Sequence, residues 1–199
     1  MGNESNLNDL IGSRICHDLV SPLGAIGNGV ELLTMASTAS APELAMISES
    51  IENANARIRF FRVAFGAASA GTSVGHGELR SSLSDVYRGS RLKIDWRIET
   101  DLPRNEVKLS FLLLQCLESA LPWGGRLDAS RDARGAWSMT AASDRQKVDA
   151  PLWDLISNPN SETQVTASEV HFALVRPTAA RMQRTVKALR SDGRITVSF

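Results

Sequence analysis

The chain has 199 residues, of which 43% are apolar and 22% charged, a composition typical of one medium or two small globular domains with a buried core. Lysine plus arginine and aspartate plus glutamate balance at 22 each, so the formal net charge is zero. This balance disfavours a general binder of nucleic acid or of anionic membranes, because such proteins carry a basic excess.

The two cysteines, Cys16 and Cys116, both fall within apolar helical patterns. Two cysteines provide no disulfide framework, so we expect two small buried apolar side chains in a reducing compartment. Residues 1–10 lack the basic and apolar regions of a signal peptide, and no apolar run approaches the ~18 residues that span a bilayer. These features predict a cytoplasmic protein.

Two long helical patterns open the chain. On the first, one face carries Ile11, Ile15, Leu19, Pro22, Ile26, Val30 and Leu33. On the second, steps of three and four residues make a heptad seam of Leu44, Ile47, Ile51, Ala54, Ile58, Phe61 and Phe65. A Ser- and Ala-rich break at 35–42 separates them, which predicts an antiparallel hairpin. Because a hairpin alone has too little core, we expect a second copy to complete a dimeric four-helix bundle.

The segment 66–77 is rich in small residues and glycine, and it predicts a linker between a hairpin domain, 1–70, and a second domain, 77–199. The second domain mixes helical and strand patterns, so the predicted fold class is α+β, a sandwich with a mixed or antiparallel sheet. The predicted helices are 78–87, 105–122, 151–157 and 178–189, and the predicted strands are 91–99, 125–132, 135–143 and 193–199. Residues 169–175 fit either a strand or the start of a helix.

His17 is one of only three histidines, and the helical wheel places it about 200° from Ile15, away from the apolar stripe. Its neighbours on that face are small or polar: Ser13, Ser21, Gly24 and Asn28. Such a surround leaves room for the backbone of another protein. The adjacent Asp18 is placed to hydrogen-bond the imidazole and hold its tautomer, and Arg14 is a candidate to neutralise charge on an incoming phosphoryl group.

The pattern around His17 leaves several roles open: an ordinary surface residue, a metal ligand, a catalytic base or a carrier of a phosphoryl group. No second histidine or cysteine stands three or four residues away, which disfavours a metal site. No nucleophile-elbow sequence accompanies it, which disfavours a hydrolase triad.

The stretch "HDLVSPLGAI", 17–26, resembles the H-box of two-component sensor histidine kinases. In that box a histidine is followed at once by an acid and, five residues after the histidine, by a proline, on the first helix of a dimerising hairpin. His17, Asp18 and Pro22 match these positions. The resemblance implies that His17 carries a phosphoryl group.

The second half departs from the kinase pattern at the three signatures of the nucleotide site. Gln115 and Ser119 stand where the asparagine-rich helix has its two asparagines. The region of the adenine-recognition loop, 142–156, contains no glycine, and 169–182 replaces a glycine-rich lid. Phosphates need close backbone approach, which glycine permits, so the sequence predicts a kinase-like sandwich that binds no ATP.

This combination is similar to the ChpT-type histidine phosphotransferases of alphaproteobacteria, on the stretches "ICHDLVSPLGAIGNGVELL", 15–33, and "LESALPWGGRLDAS", 117–130. Membership implies a homodimeric phosphotransferase with a degenerate histidine-kinase ATPase domain. It implies partners that are receiver domains, those of a hybrid histidine kinase and of response regulators, with Mg²⁺ supplied by the receiver and no cofactor or metal held by this chain.

On this reading, the catalytic residues are His17, Asp18 and Arg14, and the receiver docks on Ser13, Ser21, Gly24, Asn28 and Arg57. Arg59 and Arg62 of the second helix are further candidate contacts. Three alternatives stay open: a sensor-kinase core that binds ATP, an adaptor that docks response regulators without chemistry, and a purely structural dimer in which the histidine is incidental.

Overall fold

The computed structural model describes residues 2–35, 41–69 and 71–199. Two long helices, α1 (Gly2–Met35) and α2 (Ala41–Ala64), form the hairpin. Gly29 of α1 lies against Ile47 of α2, and Asp18 lies beside Arg57, so the two helices run antiparallel as predicted. A Cβ at Gly29 would overlap Ile47, which shows how closely the two backbones approach there. Most of the predicted break, 36–40, lies outside the described residues.

The second unit is a two-layer arrangement of four helices and a five-stranded sheet, which confirms the α+β class. Its helices are α3 (His76–Val86), α4 (Arg104–Ser119), α5 (Ala150–Ser157) and α6 (Val170–Arg181), and a 3₁₀ turn (Ala167–Glu169) precedes α6. The sheet strands are β2 (Leu92–Trp96), β4 (Gly125–Arg131), β5 (Trp137–Ala142), β6 (Lys187–Ser191) and β7 (Arg194–Ser198). Their order is β2-β4-β5-β7-β6, parallel only between β2 and β4.

Helix α4 is the centre of the core. Nearly all its side chains from Val107 to Leu117 are fully buried, since the sheet covers one side while α2 and α6 cover the others. Inward-facing residues alternate along β4, β5 and β7, which explains the period-two pattern of these strands: Leu127, Ala129, Met139, Ala141, Ile195 and Val197.

The hairpin is anchored in this same core. Phe60 of α2 stacks on Phe111 of α4 with ring centroids 4.8 Å apart, and Phe61 and Ala64 are buried beside it. The predicted linker includes a short strand, β1 (Ser73–Val74), which pairs antiparallel with β3 (Leu102–Pro103). Ala70 lies outside the described residues, and the domain limits 1–70 and 77–199 stay a prediction.

Two local predictions are wrong, and the structure decides a third segment that the sequence left open. The helix predicted at 178–189 ends at Arg181, because Gln183 adopts a left-handed φ of 55° and 187–191 forms strand β6. Residues 170–175 are helical, which decides between the two readings of that segment. Cys16 is exposed rather than buried, and Val30 is also exposed, since both lie on a face of α1 that no element of the described chain covers.

The buried carboxylate of Glu106 ties α4 to the sheet. It accepts a hydrogen bond from Arg131 Nε at 2.9 Å and one from the Trp137 indole at 2.8 Å, while a guanidinium nitrogen of Arg184 lies 3.9 Å away. One acceptor group therefore satisfies donors from β4 and β5 beneath the helix.

We expect Glu106→Ala to lower the free energy of unfolding by about 2–3 kcal/mol, because the indole N–H and the Arg131 guanidinium lose their buried acceptor. Urea denaturation followed by circular dichroism measures the loss. The matched control is Glu99→Ala, an exposed glutamate, which we expect to change stability by less than about 0.5 kcal/mol. Equal effects of the two substitutions would contradict this account.

Candidate functional site

His17 is the open histidine of the three. Its side chain is 84% exposed on α1, whereas His171 is fully buried and His76 is partly covered. The residues predicted to share its face are all exposed: Ser13, Ser21, Gly24 and Asn28. The wheel therefore placed this face correctly, although the roles of its residues stay predictions.

Asp18 holds one nitrogen of the His17 ring. Its Oδ1 lies 3.1 Å from His17 Nδ1, and its side chain is only 11% exposed. A carboxylate only accepts hydrogen bonds, so the neutral ring carries its proton on Nδ1 and leaves the Nε2 lone pair free. That lone pair belongs to an exposed ring, which makes Nε2 the nitrogen available as a nucleophile.

The second oxygen of Asp18 binds arginine. Its Oδ2 accepts a hydrogen bond from Arg14 Nε at 2.9 Å, and Arg57 Nη1 lies 3.8 Å from it. Arg14 also donates through Nη1 to the backbone carbonyl of Ser168, at 2.6 Å, in the turn before α6. The guanidinium predicted to neutralise phosphoryl charge thus already has two partners in this structure.

The arginines of α2 divide into two groups. Arg59 pairs with Asp85 at 2.8 Å and Arg62 pairs with Glu78 at 3.1 Å, so both join the hairpin to α3. Arg57 instead lies on the side of Asp18 and is 45% exposed. Of these candidates, Arg57 is the one that the fold brings close to His17.

A cleft of about 520 Å³ lies between the hairpin and the second unit, beside Asp18. Its walls include Asp18 and Arg57 from the hairpin and Tyr87, Gln115 and Glu118 from the second unit. Tyr87 and Glu118 are absent from the sequence-based prediction, since nothing in their local pattern distinguishes them from ordinary helix-end residues.

Tyr87 and Glu118 form a pair within this cleft. The Tyr87 hydroxyl donates to Glu118 Oε2 at 2.7 Å. Glu118 lies at the mouth of the cleft, yet surrounding protein displaces enough water that desolvation raises the pKa of its carboxyl, an effect that the Tyr87 bond and the charges of Arg14 and Arg57 partly offset. Burial, followed by the Glu118 charge, raises the pKa of Tyr87.

The two residues predicted to replace the kinase asparagines form hydrogen bonds within α4 itself. Gln115 Nε2 donates to the Phe111 carbonyl at 3.2 Å, and Ser119 Oγ donates to the Cys116 carbonyl at 2.7 Å. Within the described residues, no group of three or more His, Cys, Asp or Glu side chains is arranged to hold a metal ion. No helix among the described residues is long and apolar enough to cross a membrane.

The comparisons with known proteins agree on one family. The model of the histidine phosphotransferase C-terminal domain matches residues 76–194. The protein phosphotransferase ChpT of Brucella abortus (strain 2308) is 34% identical over 195 residues, which cover 94% of this chain and 92% of that protein. The 1.7 Å structure of a bacterial phosphotransferase superposes with a TM-score of 0.78 at 29% identity, covering 97% of this chain and 95% of the other.

A hairpin with an exposed histidine, joined to an α+β unit that matches the histidine phosphotransferase model, thus defines a phosphotransferase of the phosphorelay class. The chain belongs to the histidine phosphotransferase family, and ChpT of Brucella abortus is a relative along nearly the whole length of both proteins. The matched family model begins at α3, so it does not include the hairpin or His17.

The raised pKa of Glu118 has a consequence for stability. The folded carboxyl holds its proton more tightly than the unfolded one, so we expect stability to fall as pH rises from the ordinary glutamate range through the raised value. Glu118→Gln removes this dependence. Urea denaturation of parent and variant at a series of pH values measures it. The expectation fails if both show the same pH slope, and Glu99→Gln serves as the control.

Proposed function

We propose that His17 is the phosphoryl carrier of a phosphorelay between receiver domains. Its Nε2 attacks the phosphorus of an aspartyl phosphate on the receiver of a hybrid histidine kinase. The N–P bond forms as the bond between phosphorus and the aspartate oxygen breaks, and the receiver carboxylate leaves. The aspartate of a response regulator then attacks the phosphohistidine and restores the free ring. The observation that carries this proposal is an exposed ring whose Nδ1 is held by Asp18.

The surface around His17 suits the approach of a receiver. Ser13, Ser21, Gly24 and Asn28 are exposed and short, so a partner's backbone reaches the ring without displacing long side chains. Arg57 adds a positive charge at the edge of this surface, next to Asp18. Phosphoryl transfer depends mainly on positioning and on charge neutralisation, which such a docked complex supplies.

The proposed reaction uses no nucleotide and no metal of this chain. Gln115 and Ser119 each donate a hydrogen bond to the α4 backbone, and no glycine lies between 142 and 156 to allow close approach of phosphates. The Mg²⁺ of the reaction then comes from the receiver, on the aspartate that donates or accepts the group. We expect the protein to act in the cytoplasm, together with receiver partners of this kind.

The proposed active form is a homodimer through the hairpin. Val20, Leu23 and Val30 form an exposed apolar stripe on α1, and Leu44, Ile51 and Ile58 recur every seven residues, also exposed, on α2. A contiguous exposed apolar surface at heptad spacing is typical of a helical interface. On the α1 wheel His17 lies about 60° from Val20 and about 140° from Val30, so a partner on this stripe leaves the ring open.

His17→Ala tests the carrier role. We expect it to abolish phosphate uptake from a phosphorylated receiver, because His76 is partly covered and His171 is buried. Radiolabel transfer on gels measures uptake, and ³¹P NMR of the parent should show phosphate on Nε2. His76→Ala is the matched control and should transfer normally. Uptake by the His17→Ala variant at the parent rate would refute the proposal, and receiver binding without any transfer by the parent would favour an adaptor.

Ile51→Asp tests the dimer. We expect a charge in the middle of the exposed apolar row on α2 to convert the protein to a monomer, because an unpaired buried carboxylate costs several kcal/mol at an apolar interface. Light scattering after size-exclusion chromatography measures the mass. Leu189→Asp on strand β6, where the leucine is 70% exposed and remote from the hairpin, is the control. A parent that is monomeric, or an Ile51→Asp dimer, would contradict this arrangement.

A further inference from the structure

The second unit contacts Arg14, beside the proposed phosphotransfer site, through a backbone carbonyl. Ser168, 154 positions after Arg14 in the chain, accepts from Arg14 Nη1 at 2.6 Å. The same guanidinium donates through Nε to Asp18 Oδ2, and the other oxygen of Asp18 contacts His17 Nδ1. A continuous series of hydrogen bonds therefore runs from Ser168 to the His17 ring.

The turn that presents the Ser168 carbonyl is closed by its own capping box. The Thr166 backbone N–H donates to Glu169 Oε2 at 2.9 Å, and the Thr166 hydroxyl donates to the same oxygen at 2.8 Å. The Glu169 N–H donates back to the Thr166 carbonyl at 3.0 Å. These reciprocal bonds hold the turn ahead of α6 in one conformation, so the carbonyl has a defined position.

The fixed position of the Ser168 carbonyl orients the planar guanidinium of Arg14. Arg14 uses two different N–H groups of one rigid fork, one for each partner, so the two bonds together define the plane of the group. Asp18 in turn has one oxygen on Arg14 and one on His17, and its carboxylate cannot rotate without losing a bond. Without the Ser168 bond, the Nε bond to Asp18 alone would not fix the plane of the guanidinium.

The buried residues next to Arg14 add no positive charge that would compete with it for Asp18. His171, the second residue of α6, is buried with both ring nitrogens unpartnered among the described residues. Burial, assisted by the nearby charge of Arg14, lowers the pKa of His171 to about 3, so this ring stays neutral at physiological pH. The described groups around Arg14 from both units are thus the Asp18 carboxylate, the Ser168 carbonyl, the more distant Arg57, the Tyr87–Glu118 pair of the cleft and the neutral ring of His171.

We propose that the degenerate second domain takes part in phosphotransfer by positioning. The Ser168 carbonyl holds Arg14, a positioning residue, on Asp18, which fixes the Nδ1–H tautomer of His17 and directs Nε2 toward the receiver. We call the hydrogen bonds from Ser168 through Arg14 to Asp18 the clamp. Movement of the second domain away from the hairpin would break the clamp and slow the transfer. This inference rests on the proposed role of His17 and adds a function for the sandwich beyond structural support.

Arg14→Ala tests the clamp with two readouts. We expect the ¹⁵N shifts of the neutral His17 ring to change from predominantly Nδ1–H toward a mixture of tautomers, as in an Asp18→Asn reference. We also expect the maximal transfer rate to fall by roughly tenfold with little change in the receiver KM, because a misplaced nucleophile costs rate rather than binding. Arg14→Lys, which keeps the charge but not the fork, should restore little of the rate.

A double substitution, Thr166→Ala with Glu169→Ala, loosens the turn without touching α1, and it should shift the tautomer and the rate in the same direction. Thermal melting confirms that each variant is folded. The clamp is overturned if the turn variant behaves as the parent in both readouts. It is also overturned if Arg14→Ala raises the receiver KM and leaves the tautomer unchanged, since Arg14 would then act on the receiver directly. Transfer by the parent that His17→Ala does not abolish would instead refute the carrier role.

Discussion

The packing of the α2 C-terminal turns onto α4 is the contact on which the other features depend. Phe60 stacks on Phe111, and Phe61, Val63 and Ala64 are buried with it, so the base of the hairpin belongs to the core of the sandwich. Side chains of this size contribute on the order of 2 kcal/mol each when buried. This contact sets the position of α1 relative to α6, and with it the distance from Arg14 to the Ser168 carbonyl.

Polar contacts then refine what the aromatic contact begins. Arg59 and Arg62 pair with α3 on one side of the hairpin, while Arg14 bonds to the turn before α6 on the other. Exposed ion pairs each contribute little to stability, about 0–1 kcal/mol. Their value here is geometric, because they restrict the rotation of the hairpin about its aromatic base. The cleft beside Asp18 is the space left between these two lines of contact.

The neighbouring residues His17 and Asp18 of α1 differ in exposure and in their proposed roles. His17 stands free in solvent, whereas its neighbour Asp18 is nearly covered and bonded to arginine. For the proposed carrier role, an exposed ring with a nearly covered orienting carboxylate gives access to a partner without loss of a defined tautomer. The apolar stripe of Val20, Leu23 and Val30 occupies a third sector of the same helix, so one helix serves a proposed dimer contact, a reactive ring and a link between domains.

Short-range patterns predicted most of the elements and the reactive face. The two hairpin helices, α3 to α5 and the alternating strands β4, β5 and β7 follow from periodicity, and the exposure of His17, Ser21 and Asn28 follows from the wheel. The error at 178–189 arose because apolar residues there fit a helical period, while the left-handed Gln183 and pairing with β7 favour a strand. Strand pairing is a contact between distant segments, and local periodicity does not contain it.

The sequence by itself determined that His17, Asp18 and Pro22 are neighbours on one helix, because their relation needs only helical geometry, and the proposed carrier role of His17 starts from that relation. It also determined the absence of the glycine-rich nucleotide signatures, which is a matter of which residues are present. Only the tertiary structure decided that Arg57 lies beside Asp18, that Tyr87 and Glu118 line the adjoining cleft, and that the Ser168 carbonyl binds Arg14. Those contacts join segments tens to more than a hundred residues apart, and they exist because burial of Phe60 against Phe111 brings the two units together.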